Sequence, residues 1–243
     1  MSEGFELPPA LGGLVDAHVN EPQKSVLIRP RSWRSALLDV EPGVLAVLDD
    51  DAVSRPSQST PGDRLVDREG VHGLLDRTDL ADEVSLLRAF LAVQAWGAGV
   101  TGTRTLLHTA RAFAHREQLL SALRTSTERL RDADGTAALV GTYDGWRCPG
   151  VGPSFFTKWF AYAGRRADRN WQPLILDDRV YRALNTTLDV RLVDLAGSRS
   201  RAARYRAYVE AVHDWGRTLD VPAERLEWVL FWDNGRATSA PSR

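Results

Sequence analysis

Cysteine and lysine are almost missing from this 243-residue sequence. A single cysteine, Cys148, excludes a disulfide framework and any zinc site or iron–sulfur cluster built on four cysteines. Of 31 basic residues only Lys24 and Lys158 are lysines, so any chemistry that needs a side-chain amine has two residues to draw on. No apolar run approaches the roughly 18–20 residues of a membrane span, and Met1-Ser2-Glu3 opens no signal peptide, which points to the cytoplasm and away from a membrane. His18, His72, His108, His115 and His213 include no i, i+4 pair, so the helical metal motif is missing. No P-loop, nucleophile elbow or dinucleotide fingerprint occurs. The expectation is a protein without metal or cofactor.

What is there is ordinary for a globular chain: 43% hydrophobic, 26% charged and a net charge of -1. The length suits one large domain or two small ones. Residues 1–24 are punctuated by Pro and Gly. Val26–Ile28 and Val44–Leu48 are short apolar stretches around a predicted helix at 33–38, and 54–63 (SRPSQSTPGD) reads as an exposed loop. Beyond it, helical spacing predicts helices over 79–96 (Asp79 as cap, Gly97 as stop), 103–113, 116–130, 135–146, 154–163, 177–188, 200–219 and 222–232. Sustained period-2 alternation is scarce, so the class is mainly α, with a segment 1–75 preceding a helical domain over 76–243.

The small net charge hides an asymmetry. Residues 39–83 hold twelve carboxylates against four Arg, whereas 158–206 hold Lys158 and ten Arg against five Asp. A positive C-terminal half suits a polyanion. A solvated helical face with ordinary salt bridges accounts for the same count.

The informative segment is 149–183, PGVGPSFFTKWFAYAGRRADRNWQPLILDDRVYRA. It reads as a Gly-x-Gly hairpin, a helix, a loop, and an Asp where another helix begins. The glycines permit positive φ and bring bare amides to the surface. Pro153 suits the first turn of the next helix, whose amides form an anion site. A Gly-x-Gly-Pro alone is more often just a tight turn between helices. Asp177, before an apolar periodic run, reads first as an N-cap. A carboxylate held there by amide donors and the helix dipole stays ionised, which suits it to stabilise a positive sugar or to orient water.

Together, Pro149-Gly150-Val151-Gly152-Pro153-Ser154 and Leu176-Asp177-x-Arg179-Val180-x-Arg182 resemble the signature of the helix-hairpin-helix DNA glycosylases. The longer strings GVGPSFFTKWFAYAG and PLILDDRV, with Ala95-Trp96-Gly97-Ala98-Gly99 upstream, are most similar to a bacterial branch of 8-oxoguanine-glycosylase-like proteins. The strong resemblance spans about 35 residues, and a looser one runs from about residue 80 onward. It implies a helix-hairpin-helix glycosylase-like fold with an N-terminal extension. It also implies that Gly150, Val151, Gly152 and Pro153 meet DNA backbone together with Arg179 and Arg182, and that Asp177 is the catalytic aspartate. Ser154 stands where members with lyase activity carry Lys, as it does in adenine-excising members that hydrolyse without a lysine nucleophile. Arg179 replaces the His of the aspartate motif, and the loop 165–175 is longer than usual.

Lys158 lies one turn beyond Ser154 on the same helical face. Three readings stay open for it: a surface or phosphate-binding residue, a polar contact lining a base pocket, or a displaced Schiff-base nucleophile. Phe155, Phe156, Trp159, Phe160 and Tyr162 mostly fill a core by their spacing, and core packing is also the reading for Trp228 and Trp232.

The implied function is excision of a modified base, 8-oxoguanine or similar, from double-stranded DNA by a monomer at the nucleoid. The nucleotide is flipped out, and Asp177 assists cleavage of the N-glycosidic bond. Ser154 and Lys158 stand next to the chemistry, with strand cleavage through Lys158 as an added route. Two alternatives remain: a phage-defence glycosylase removing a hypermodified base, and a non-catalytic DNA-binding module.

Overall fold

The computed structural model describes residues 4–18, 20–100 and 103–235. The fold is mainly helical, as the periodicity predicts. It divides into two compact units, each discontinuous in sequence: a hairpin unit (Lys24–Glu128 with Gly145–Gly164) and an aspartate unit (residues 1–23, Arg129–Asp144 and residues 165–243). The segment 1–75 is thus shared between the two.

In the hairpin unit a small antiparallel sheet comes first: β1 (Val26–Ile28), β2 (Ser54–Pro56) and β3 (Arg64–Val66), in the order β1-β3-β2, with Val66 opposite both Val26 and Ser54. The expected loop 54–63 is therefore one strand plus the turn that returns it, closed by Ser57 N–H donating to Asp63 O (2.9 Å). Three-residue strands are too short for alternation to register, which is why composition hid them. Between β1 and β2 run α2 (Pro30–Ala36), α3 (Pro42–Leu45) and a 3₁₀ turn, Ala46–Asp49. The helix α4 (Arg68–Asp76) is capped by Asp67, whose carboxylate accepts from Gly70 N (2.7 Å).

The core of this unit is α5 (Glu83–Ala98), where Leu86, Leu87, Phe90, Leu91 and Val93 are wholly buried. Its cap is Asp82, accepting from Ser85 N (3.0 Å), rather than Asp79. Its stop is Gly99 at φ +61 rather than Gly97, because only Gly99 turns left-handed. α6 (Thr103–Ala114) and most of α7 (Arg116–Arg131) follow. Last comes α9 (Pro153–Ala163), whose Trp159 meets Phe90 edge-on and donates its indole N–H to Ser126 Oγ (3.2 Å).

The aspartate unit contains α1 (Leu11–His18), α8 (Ala138–Gly145, all but its last residue), α10 (Asp178–Arg182), α11 (Leu192–Leu195), α12 (Arg201–Leu219) and α13 (Ala223–Asp233). The helix expected over 177–188 is broken: α10 passes into a single π turn, Ala183–Thr187, and Asp189 turns left-handed. α12 and α13 pack on each other, and α10 and α1 pack on α13. The N-terminal segment is strapped to α12 by Phe5 N–H on Asp214 (2.7 Å) and by the Trp215 indole on Glu6 O (2.9 Å). Trp228 is core; Trp232 stacks on it and is 36% exposed.

Candidate functional site

The predicted site residues fall into two groups. Gly150–Pro153, Ser154 and Lys158 belong to the hairpin unit, whereas Asp177, Arg179 and Arg182 belong to the aspartate unit.

The hairpin turns at Gly150 alone, which sits at φ +88; Gly152 is ordinary extended backbone (φ -85, ψ 177) and caps α9. A Cβ on Gly150 would also drive into the carbonyl of His108 and lie 3.2 Å from Arg111 Cβ, so the turn is pressed against α6. Glycine is required there twice over, by backbone angle and by space. Val151 is buried and anchors the turn, its N–H donating to Cys148 O (3.4 Å). The amides of Gly150 and Gly152 have no hydrogen-bond acceptor among the described residues, so they, rather than Val151, are the bare amides of the hairpin. Pro153 holds the first helical position as expected. Burial pushes the Cys148 thiol up to about 11, so this cysteine is inert beside the turn.

Lys158 is 4% exposed, which removes the reading of a surface residue. Its Nζ donates to Ser154 O one turn back (2.7 Å) and lies 5.1 Å from the centre of the Phe155 ring. The stem lies in a slot made by Gly97 in the last turn of α5. A Cβ there would come 2.7 Å from Lys158 Cδ and 3.1 Å from Cε. Gly97 is thus neither stop nor turn; it is the space that lets a lysine stay inside. Sequence reasoning singled out Ala95-Trp96-Gly97-Ala98-Gly99 by resemblance only, and nothing in the chain tied Gly97 to Lys158 sixty-one residues on. Of the aromatics of α9, Phe156, Trp159, Phe160 and Tyr162 are core, while Phe155 is half-buried beside the ammonium.

Asp177 is the N-cap of α10, as the first reading has it. One carboxylate oxygen accepts from Arg179 N (3.0 Å) and Val180 N (3.2 Å), and the residue is 8% exposed. The extended segment in front of it is pinned from three sides: Tyr205 OH donates to Leu174 O (2.8 Å), Tyr208 OH to Ile175 O (2.8 Å), and Ile175 N–H to the buried Glu227 (2.5 Å). Burial drives the Tyr205 phenol well above its ordinary range, so it stays a donor. None of these three anchors was legible beforehand. Arg179 is exposed and stacks over Phe231 at 4.7 Å, and Arg182 is exposed and donates to Asn234 (2.8 Å).

The basic count over 158–206 shrinks on folding. Arg165 pairs with Glu224 (3.5 Å), Arg166 with Asp168 (2.5 Å), Arg191 with Asp194 (2.6 Å) and Arg206 with Glu210 (2.8 Å). Arg169 is spent inside the long loop, on Leu130 O (2.6 Å) and Trp171 O (2.8 Å), where burial pulls its guanidinium down to about 10. The acidic excess over 39–83 is likewise drawn into pairs, among them Arg34 with Asp49, Arg88 with Asp50 and Arg116 with Glu41 and Glu83. Among the described residues no group of three or more His, Cys, Asp or Glu is arranged to hold a metal ion, and no helix is long and apolar enough to cross a membrane.

Set against models of known families, residues 20–231 match the one described as "Putative 8-oxoguanine DNA glycosylase OGG-like protein". The match takes in both units and begins inside the segment 1–75. No curated protein and no solved structure matches the chain.

Proposed function

The chain belongs to that OGG-like family, and on this premise we propose that it is a DNA N-glycosylase that releases an oxidised purine, 8-oxoguanine or a close analogue, from duplex DNA. The observation that carries the proposal is Asp177: a carboxyl group largely shielded from water and held rigid by two amide donors, where pure DNA binding has no use for an acidic side chain.

The bare amides of Gly150 and Gly152 donate to a phosphate oxygen, and Arg179 and Arg182 add charge-assisted contacts to the backbone. The lesion nucleotide leaves the stack at a cost of a few kcal/mol, least for a damaged or mispaired base. The C1′–N9 bond then breaks, its electron pair leaving with the base, which takes a proton from solvent. Asp177 stabilises the cationic sugar, and the water that adds to C1′ gives up its proton to that carboxylate. Ser154 contributes its carbonyl, which keeps the Lys158 ammonium on its own helix.

The burial of Lys158 favours a second route on the same protein. Once Nζ leaves the Ser154 carbonyl and loses a proton, it can attack C1′ as the base departs. The sugar ring opens to an iminium, and loss of the C2′ proton expels the 3′ phosphate, cutting the strand. Incubation with duplexes carrying 8-oxoguanine, uracil, alkylated or glucosylated bases tests the main proposal. Release of 8-oxoguanine is expected. Release of glucosylated cytosine alone would favour the defence reading, and binding without release of any base would make the protein a module. Borohydride trapping of the iminium tests the lysine route.

A further inference from the structure

Among the described residues, some of the arginines left without a carboxylate after folding lie outside the basic stretch 158–206, on α6. α6 reads TRTLLHTARAFA and contains no acidic residue. It buries Thr105, Thr109, Ala112 and Phe113, and it exposes Arg104, Leu107, His108 and Arg111, an i, i+3, i+4, i+7 stripe along one face. Among the described residues neither Arg104 nor Arg111 has an ion-pair partner. Leu107, between them, is 67% exposed. The hairpin lies directly on this helix, since Gly150 abuts the His108 carbonyl and Arg111 Cβ. Arg147, three residues before Gly150, is exposed as well.

We propose that this face of α6 is a second phosphate-binding surface, which carries the duplex backbone onward from the hairpin. The inference rests on the DNA-glycosylase reading and extends its footprint. Seven helical residues separate Arg104 from Arg111 by about 10 Å, the rise of about three base pairs, so the two guanidiniums meet different phosphates rather than compete for one. A lone leucine flanked by two unpaired arginines is too small an apolar patch to dock a protein, whereas it fits a polyanion with Leu107 against the sugar edge.

The test is the salt dependence of binding to an unmodified duplex. Arg104→Ala/Arg111→Ala lowers the slope of log K against log salt by about two and weakens binding about thirtyfold near 0.15 M salt. Leu107→Glu weakens it about fivefold and Leu107→Lys strengthens it, a reversal of sign that damage to the fold cannot imitate. Arg191→Ala, whose partner is Asp194, stays within about twofold of wild type. A double variant with wild-type affinity and slope, in a protein that itself binds DNA with a steep slope, overturns the α6 surface and leaves the glycosylase reading standing. Wild-type protein that shows no salt-dependent binding overturns both.

Discussion

Asp177 and Lys158 are both charged side chains shielded from solvent, and they are held in opposite ways. Asp177 is fixed by its own backbone: its carboxylate bonds the amides two and three residues ahead, a contact that a capping side chain at the start of a helix makes wherever it occurs. Lys158 bonds its own helix too, through Ser154 O, but what lets it stay inside is the missing side chain of Gly97 on another helix. A local cap is robust and legible; a tertiary slot is fragile and silent. The difference predicts that the two residues fail differently when disturbed.

The largest expected effect comes from removing the charge of Asp177 and keeping its cap. Asn caps a helix as well as Asp does, so Asp177→Asn folds and melts like wild type. Base release in single turnover falls about 10²–10³-fold, as when one electrostatic contributor to a transition state is removed, and duplex binding is kept or tightened. Excision retained within tenfold would take Asp177 out of the chemistry.

Next is the lysine. Lys158→Met keeps the apolar stem and removes the amine. The borohydride adduct disappears, although Lys24 and the terminal amine remain; an adduct that persists in this variant assigns the iminium elsewhere.

Gly97→Ala sharpens the comparison most, because it changes Lys158 without touching it. Alanine in a helix interior is favoured over glycine by about 1 kcal/mol, so thermal stability is unchanged or raised. The new methyl meets the flexible end of the lysine, which gives way, and adduct yield falls about tenfold. The same substitution in a Lys158→Ala background changes base release by less than twofold, since the stem that the methyl would meet is gone. Equal effects in both backgrounds would make Gly97 a packing residue only.

The smallest effect is in pH. His213 Nε2 lies 2.9 Å from Gln172 N, in the long loop that leads to Asp177, and burial holds the imidazole below its ordinary 6.5. A base with a depressed folded pKa binds more protons when unfolded, so stability is full above about 6.5 and falls as pH drops below it. Thermal melts between pH 7.5 and 5.5 show a decline that His213→Gln reduces; an identical decline in both proteins would locate the titration elsewhere.

Much of the architecture is visible in the chain: the spacing of Leu87, Phe90 and Leu91 marks α5, Ser200 starts α12, and the glycine hairpin stands out by composition. The ends of elements were less visible. Asp79 and Asp82 are both plausible caps, and Gly97 and Gly99 are both plausible stops, until packing selects one of each. Strands of three residues and the nine-residue α4 lie below the length at which periodicity separates from chance.

Residue order alone decided the cap at Asp177, the positive φ at Gly150 and the proline start of α9, because each is set within a few residues, whereas the lack of room for a side chain at Gly150 comes from α6. Tertiary structure decided that Lys158 is inside, that Arg165, Arg166, Arg169, Arg191 and Arg206 answer to carboxylates or carbonyls of the protein, and that the unpaired arginines among the described residues include Arg104 and Arg111 on α6. Periodicity tells which face a side chain lies on. Only the folded chain tells what stands opposite it, and burial and charge pairing depend on that neighbour.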